Sequence, residues 1–423
     1  MPLWLIPMIY TVTSVFAGFV LPRLEHAYLP VYMHEMSSAA AMAFFSSVSS
    51  GMMALTGIVF AIAFVTVQFS AMAYSPRLVV MFGSSPVLFH SLGIFFATFT
   101  YSLVALIWTD RDGTGEVPLF SYLLVTALLI ISMLAFVRLI RTVNDLQIYN
   151  VLQVIGSRGR GVIRTMFLRI AEKSGDGSER DLATELGSVT QTLTYSGEPY
   201  VVARFDMPAL VRLAQSVDGV VALECGVGDT LVEDAVILRV HGGMGMIPER
   251  ALLRSIRLAT ARTFEQDPKY AIRLLVDIAI RALSPAINDP TTAVQALDQI
   301  EDLLRRLGRR QLDAGFARDA QGKIRMTFPV PTWQDYLALS FDEIRQFGAT
   351  SVQVTRRMRA ALIGLGETIA VEERRAEVLR YLDHLNVGVG RSALDAQDRV
   401  AALQDDRQGL GLSRRHTAHH EAG

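Results

Sequence analysis

Two polar stretches carry the side chains best suited to chemistry. The segment RALSPAINDPTTA, residues 281–293, sets Arg281, Ser284, Asn288, Asp289 and Thr291 about the point where one helix stops and another starts. Upstream, RTFEQDPKY, residues 262–270, brings Gln266 and Asp267 to the start of the preceding helix, on which Asp277 lies between Arg273 and Arg281. The N-terminus of a helix favours an anion. If the chain folds back so that the two helix starts converge, Gln266, Asp267, Asp277, Arg281, Ser284, Asn288, Asp289 and Thr291 form a site for a ligand or ion. The plainer reading is a corner. Pro285 stops the first helix, Asp289 is the N-cap of the second, and Pro290 occupies its first position. Catalysis at this corner is the third reading. No Ser-His pairing, metal-ligand spacing or phosphate-cradling glycine loop supports it, so no catalytic residue, metal or cofactor is assigned.

Other reactive side chains suggest less. Cys225 is the only cysteine, which excludes an intrachain disulfide or a zinc site, and its flanks, VALECGVGD, suit a buried small hydrophobe. His26 and His34 stand beside Glu25 and Glu35 and read as interfacial polar residues rather than a metal site. SRGRG, residues 157–161, could meet lipid headgroups or phosphate, but matches no nucleotide-binding fingerprint. His416, His419 and His420 fall in a polar tail.

The elements that position these residues follow from an uneven charge distribution. Of 40 basic and 41 acidic residues, only five and six respectively lie between Met1 and Asp145. The remainder is balanced, so no basic field exists to attract nucleic acid. Four apolar runs in the charge-poor third are long enough to cross a bilayer as helices: 3–21, 51–73, 87–108 and 118–140. Arg77, Arg138 and Arg141 lie on one side with the arginines after residue 157, while most of the acidic residues lie on the other. That asymmetry places both termini in the cytoplasm of a multi-pass inner-membrane protein. The second span carries Thr56, Thr66 and Gln68 among the small residues Gly57 and Ala61. Such residues favour close helix packing or a pore lining, so this span is expected to be central in a bundle or homo-oligomer.

After a linking helix and loop at 146–187, the period changes from helical to two over residues 188–243, which marks a small β module. Its YSGEPYVVARFDMPALVRLAQ and VGDTLVEDAVILRV resemble the barrel-sandwich modules related to biotinyl and lipoyl domains. The segment contains no lysine, which excludes a swinging-arm carrier. Residues 244–400 read as a helical part, with PERALLRSIRLATARTF as its first helix, and 401–423 as a disordered tail. The expected fold class is therefore a four-span membrane domain followed by a cytoplasmic α+β domain.

LLVDIAIRALSPAINDPTTAVQALDQI, with RTFEQD before it, QFSAMAYSPR at the end of the second span and FDEIRQFG further on, resembles a family of bacterial predicted membrane proteins, domain of unknown function 2254. The resemblance covers most of the chain and implies an integral membrane protein of bacterial origin. It implies no activity. The expected partners are the bilayer, further copies of the chain, and a cytoplasmic partner or small ligand of unknown identity. The functional readings are a sensing domain on a possible conduit, a membrane-anchored scaffold, and a membrane-bound enzyme.

Overall fold

Apolar length organises the first third of the chain. In the computed structural model, α1 (Leu5–Tyr28), α2 (Ser38–Ala73), α3 (Pro86–Trp108) and α4 (Leu119–Asn144) are helices. They contain windows of 21–25 residues apolar enough to span a bilayer: Leu5–Glu25, Ser38–Ile62, Pro86–Trp108 and Leu119–Arg141. At 1.5 Å per residue each crosses roughly 30 Å of hydrocarbon. The structure describes residues 4–28, 37–73, 86–109, 117–144, 147–167, 186–312, 315–392 and 394–410. They divide between two compact units, Met1–Val151 and Leu152–Gly423.

In the first unit, each of the other three helices packs most extensively against α3. Small residues permit this. A Cβ on Gly18 would fall 2.9 Å from Val104, and one on Gly93 would fall 2.9 Å from Tyr10, so both glycines set the close approach of α1 and α3. Hydroxyls satisfy one another inside the bundle: Ser14 donates to the Ala97 carbonyl at 2.6 Å, Thr98 meets Ser132 at 2.9 Å, and Tyr101 meets Ser121 at 3.1 Å. The buried Glu25 carboxylate accepts from the Phe120 amide at 2.7 Å, capping the start of α4. Within one copy of the chain, α3 rather than α2 is the most extensively packed helix of this unit. Thr56 is buried and turns its hydroxyl back to the Met52 carbonyl at 2.7 Å, while Gly57 and Ala61 lie on an open face of α2. The side chains of Thr66, Gln68 and His26 lie outside the described residues, as do His34, Glu35, Arg77 and the histidines of the tail.

The second unit begins with the body of α5 (Ile148–Met166). Two sheets follow. The five-stranded sheet runs in the order β1 (Val189–Thr194), β5 (Val236–Gly242), β3 (Gly219–Leu223), β8 (Ile324–Thr327), β7 (Phe316–Arg318). The three-stranded sheet is β4 (Thr230–Leu231), β2 (Tyr200–Phe205), β6 (Ile256–Ala259). Every pairing is antiparallel except that of β3 with β8. Val202 and Phe205 of the small sheet share one core with Val221, Leu238 and Met326 of the large one, and α6 (Met207–Ser216) contributes Leu210. The alternation is clearest in β1, which buries Gln191 and Leu193, the former bonded both ways to the Ile247 main chain, while β2 and β5 each bury two adjacent apolar residues, Val202–Ala203 and Ile237–Leu238.

The sheets thus draw three strands from beyond residue 243. PERALLRSIRLATARTF, read from sequence as a helix, is a short α7 (Glu249–Arg254) followed by β6. Ile256 and Leu258 pack on the core while Arg257 reaches out to Glu265 at 3.1 Å. This four-residue alternation is too short to override a helical pattern in sequence, and the edge of β2 decides the outcome. The β7–β8 hairpin turns at Gly322, with φ of 83°, and its buried Arg325 pairs with Asp319 and Asp218, each at 2.7 Å.

The helices α8 (Pro268–Ala282), α9 (Pro290–Leu307), α10 (Trp333–Phe347), α11 (Val352–Thr368), α12 (Glu372–Arg391) and α13 (Ala396–Ala402) complete the unit. α8 is its apolar axis, with Ala271, Leu274, Leu275, Ile278 and Ala279 buried. Its charges are tied inward. Arg273 holds Asp277 at 2.6 Å and chelates Glu343 of α10 at 2.5 and 2.9 Å. SRGRG lies within α5. A Cβ on its Gly159 would sit 2.8 Å from Ala271, and Arg160 pairs with Asp302 at 3.1 Å. Residues 168–185, KSGDGSERD included, lie outside the described residues.

Candidate functional site

The corner after α8 is saturated by its own hydrogen bonds. Ser284 Oγ donates to the Arg281 carbonyl at 2.7 Å, and the Asn288 amide to the Ser284 carbonyl at 2.9 Å. Asn288 takes φ of 47°, a left-handed conformation that asparagine tolerates better than most residues. Asp289 caps α9: Oδ1 accepts from the Thr292 amide at 3.1 Å and Oδ2 from the Thr292 hydroxyl at 2.5 Å. Thr291 is exposed. These bonds account for Ser284, Asp289 and Thr292 as the stop and restart of the helix.

The other end of α8 is different. Fifteen residues of helix separate the two ends by about 21 Å, so Gln266 and Asp267 do not meet Ser284, Asn288, Asp289 or Thr291. Gln266 is occupied: its amide group accepts from the Phe205 amide at 3.0 Å and donates to the Phe205 carbonyl at 3.1 Å, locking the start of α8 onto the end of β2. Asp267 is 1% exposed, and neither carboxyl oxygen has a hydrogen-bond partner among the described residues. It holds the N-cap position of α8 without bonding its first turn; the Tyr270 amide goes to the Asp267 main-chain carbonyl instead, at 3.2 Å.

Asp267 lines a cavity of about 410 Å³ within the second unit, a size found for small-molecule sites, which span roughly 300–1,000 Å³. The walls are mainly apolar and aromatic, with Phe205, Phe316, Phe328 and Val330 among them. Tyr336 of α10 reaches the same cavity. It is 1% exposed, and its hydroxyl also lacks a partner among the described residues. Burial is the main force raising the Asp267 carboxyl above the usual carboxylate range; the charges of Lys269 and Arg262, and the nearby Tyr270 and Lys269 main-chain amides at distances too long or angles too poor for full hydrogen bonds, oppose it only in part. Burial likewise raises the Tyr336 phenol, with the Asp267 charge adding to it. Cys225 lines the cavity as a buried thiol, pushed up to about 12 by burial first and then by Asp229 and Glu224, and it donates weakly to the Ile237 carbonyl at 3.6 Å. At neutral pH it is a protonated thiol and a poor nucleophile.

Gly228 makes room for the carboxylate. Its φ is 93°, and a Cβ there would fall 2.5 Å from Asp267 Oδ2 and 3.5 Å from the Arg262 guanidinium carbon. Gly228 and Tyr336 carry no local sequence signal of this role. One sits in a turn, and the other has the spacing of an ordinary core aromatic. Among the described residues, no group of three His, Cys, Asp or Glu side chains is placed to hold a metal ion.

Residues 1–363 match the model of a family described as "Predicted membrane protein (DUF2254)". The chain belongs to that family. Similar curated proteins are an uncharacterized protein of Mycobacterium bovis and one of Mycobacterium tuberculosis, each 26% identical over 369 residues, or 84% of this chain and 69% of theirs. A second Mycobacterium tuberculosis protein, also uncharacterized, is 25% identical over the same span. No solved structure matches.

Proposed function

We propose that this member of the family is a multi-pass inner-membrane protein whose second unit faces the cytoplasm and serves as a small-molecule receptor. One observation carries the receptor reading: the Asp267 carboxylate and the Tyr336 hydroxyl, both buried and without a hydrogen-bond partner among the described residues, line the same cavity. A buried polar group without a partner costs about 1–3 kcal/mol, and more if charged. A ligand that supplies the missing bonds recovers that cost. The cytoplasmic placement is supported by the arginines that end α4 and crowd α5.

The receptor reading is tested by fluorine NMR on the full chain in detergent, with para-trifluoromethylbenzyl alcohol as a neutral probe. Saturable broadening of the probe signal is expected, and Val330→Trp, which fills the cavity from a loop outside the β core, abolishes it. Equal broadening in both proteins would place the probe in micelles and remove the reading. Orientation is tested by a green fluorescent fusion after Gly423, which fluoresces when it remains on the cytoplasmic face and not when it is exported. A fusion that is dark there, with active alkaline phosphatase at the same position, would reverse the topology.

A further inference from the structure

The cavity has more to say about what it would hold. We propose that its ligand is an organic cation bearing N–H donors, an ammonium or guanidinium head on an apolar body; this rests on the cavity being a ligand site at all. Three polar atoms await a partner, Asp267 Oδ1, Asp267 Oδ2 and the Tyr336 hydroxyl. Two of the three can only accept when the carboxyl is ionised, and the third can accept or donate. The remaining polar group at the start of α8, the Gln266 amide, is already bonded in both directions to Phe205. What is missing is therefore a donor with positive charge.

Other ligand classes fit less well. An anion would meet the Asp267 carboxylate directly. A wholly apolar molecule would seal three polar atoms away from water without bonding them. A bare metal ion would find one carboxylate where calcium takes about six to eight oxygen ligands, and no second acidic or histidine side chain joins it among the described residues. An N–H cation gains charge-assisted bonds to the carboxylate, and its body meets aromatic rings whose faces attract cations. The N-terminus of α8 supports the ionised carboxylate that the pairing needs.

Lys269 is the internal competitor. It lines the cavity, half-buried, without a hydrogen bond to Asp267. Its charge opposes an incoming cation, so its removal should strengthen binding.

The test uses the full chain in detergent and three probes of one shape: para-trifluoromethylbenzylammonium, the matching alcohol and the matching benzoate. Dissociation constants come from fluorine NMR titrations, each referenced to Val330→Trp. The ammonium should bind at least about tenfold tighter than the alcohol, as one charge-assisted bond allows, and the benzoate weakest. Asp267→Asn, which keeps the shape, should bring the ammonium and alcohol to equal affinity, and Lys269→Met should tighten the ammonium alone. Alcohol binding without an ammonium preference would overturn the cation assignment and leave the receptor reading standing. Preferential benzoate binding would assign the site to anions through Lys269. A preference that survives Asp267→Asn would place the cation elsewhere. No saturable binding by any probe would overturn the receptor reading itself.

Discussion

The two ends of α8 carry nearly the same words. Gln266-Asp267-Pro268 starts α8 and Asn288-Asp289-Pro290 starts α9, so each helix opens with an amide residue, an aspartate and a proline. The backbones agree as well, with φ and ψ of −125° and 90° at Asp267 and −116° and 81° at Asp289. Yet Asp289 caps its helix through two bonds to Thr292, and Asp267 makes none. The third helical residue separates them. At α9 it is Thr292, whose hydroxyl bonds the aspartate; at α8 it is Tyr270, whose ring turns away to pack 4.9 Å from Phe264. Local sequence sets the helix start in both cases. Surroundings decide whether the aspartate serves the helix or faces a cavity.

The sharpest way to break this contrast is at Gly228. Alanine there meets a positive φ and a carboxylate 2.5 Å from its Cβ. We expect Gly228→Ala to destabilise the protein by about 2–3 kcal/mol, read as a lowered midpoint of thermal unfolding, and to displace Asp267 so that ammonium probe binding is lost. A neutral substitution would mean that the carboxylate has room to move and that its isolation is incidental.

Asp289→Ala should cost less, about 1 kcal/mol, the value of an N-cap. The unfolding midpoint should fall by about 2–4 °C, with probe binding unchanged. Changed probe affinity would show that the corner and the cavity communicate across α8, and the contrast between them would collapse.

These two residues also show what the sequence made legible. The four spans were readable because a helix that crosses a bilayer needs about 20 apolar residues in one run. The starts of α8 and α9 were readable because Asp-Pro fixes the cap and first position locally. β6, β7 and β8 were not, because strands of three or four residues acquire their identity from the strand beside them. The isolation of Asp267 was hidden for the same reason. Its identity and position are local, while the burial that leaves it unpartnered comes from Gly228, Tyr336 and the end of β2. The close approach of α1 and α3 at Gly18 and Gly93 was not legible either, since two glycines in separate helices matter only once the partner is known.

Asp267→Asn sharpens the comparison through pH. A carboxyl raised in the folded state keeps its proton where the unfolded chain has released it. Stability then declines as pH climbs from the usual carboxylate range through the raised value, and stays low above it. The variant lacks this loss. It should match the wild type in acid and exceed it at neutral pH in the absence of ligand, measured as thermal midpoints across a pH series. Asparagine that lowers stability at neutral pH would make Asp267 a cap after all, the counterpart of Asp289.

Tyr336→Phe should have the smallest effect on stability and is informative for that reason. A buried hydroxyl that bonds its neighbours costs about 1 kcal/mol or more when deleted, because its partners are orphaned in turn. The Tyr336 hydroxyl has no such partner among the described residues, so its removal orphans nothing and relieves its own desolvation. The variant should therefore unfold at or slightly above the wild-type midpoint. Ammonium binding should weaken by less than Asp267→Asn weakens it, since Tyr336 can add one neutral bond where the carboxylate adds charge. A marked loss of stability would mean that the phenol holds the fold of α10. It would then leave Asp267 as the cavity's one buried carboxyl or hydroxyl group without a partner among the described residues.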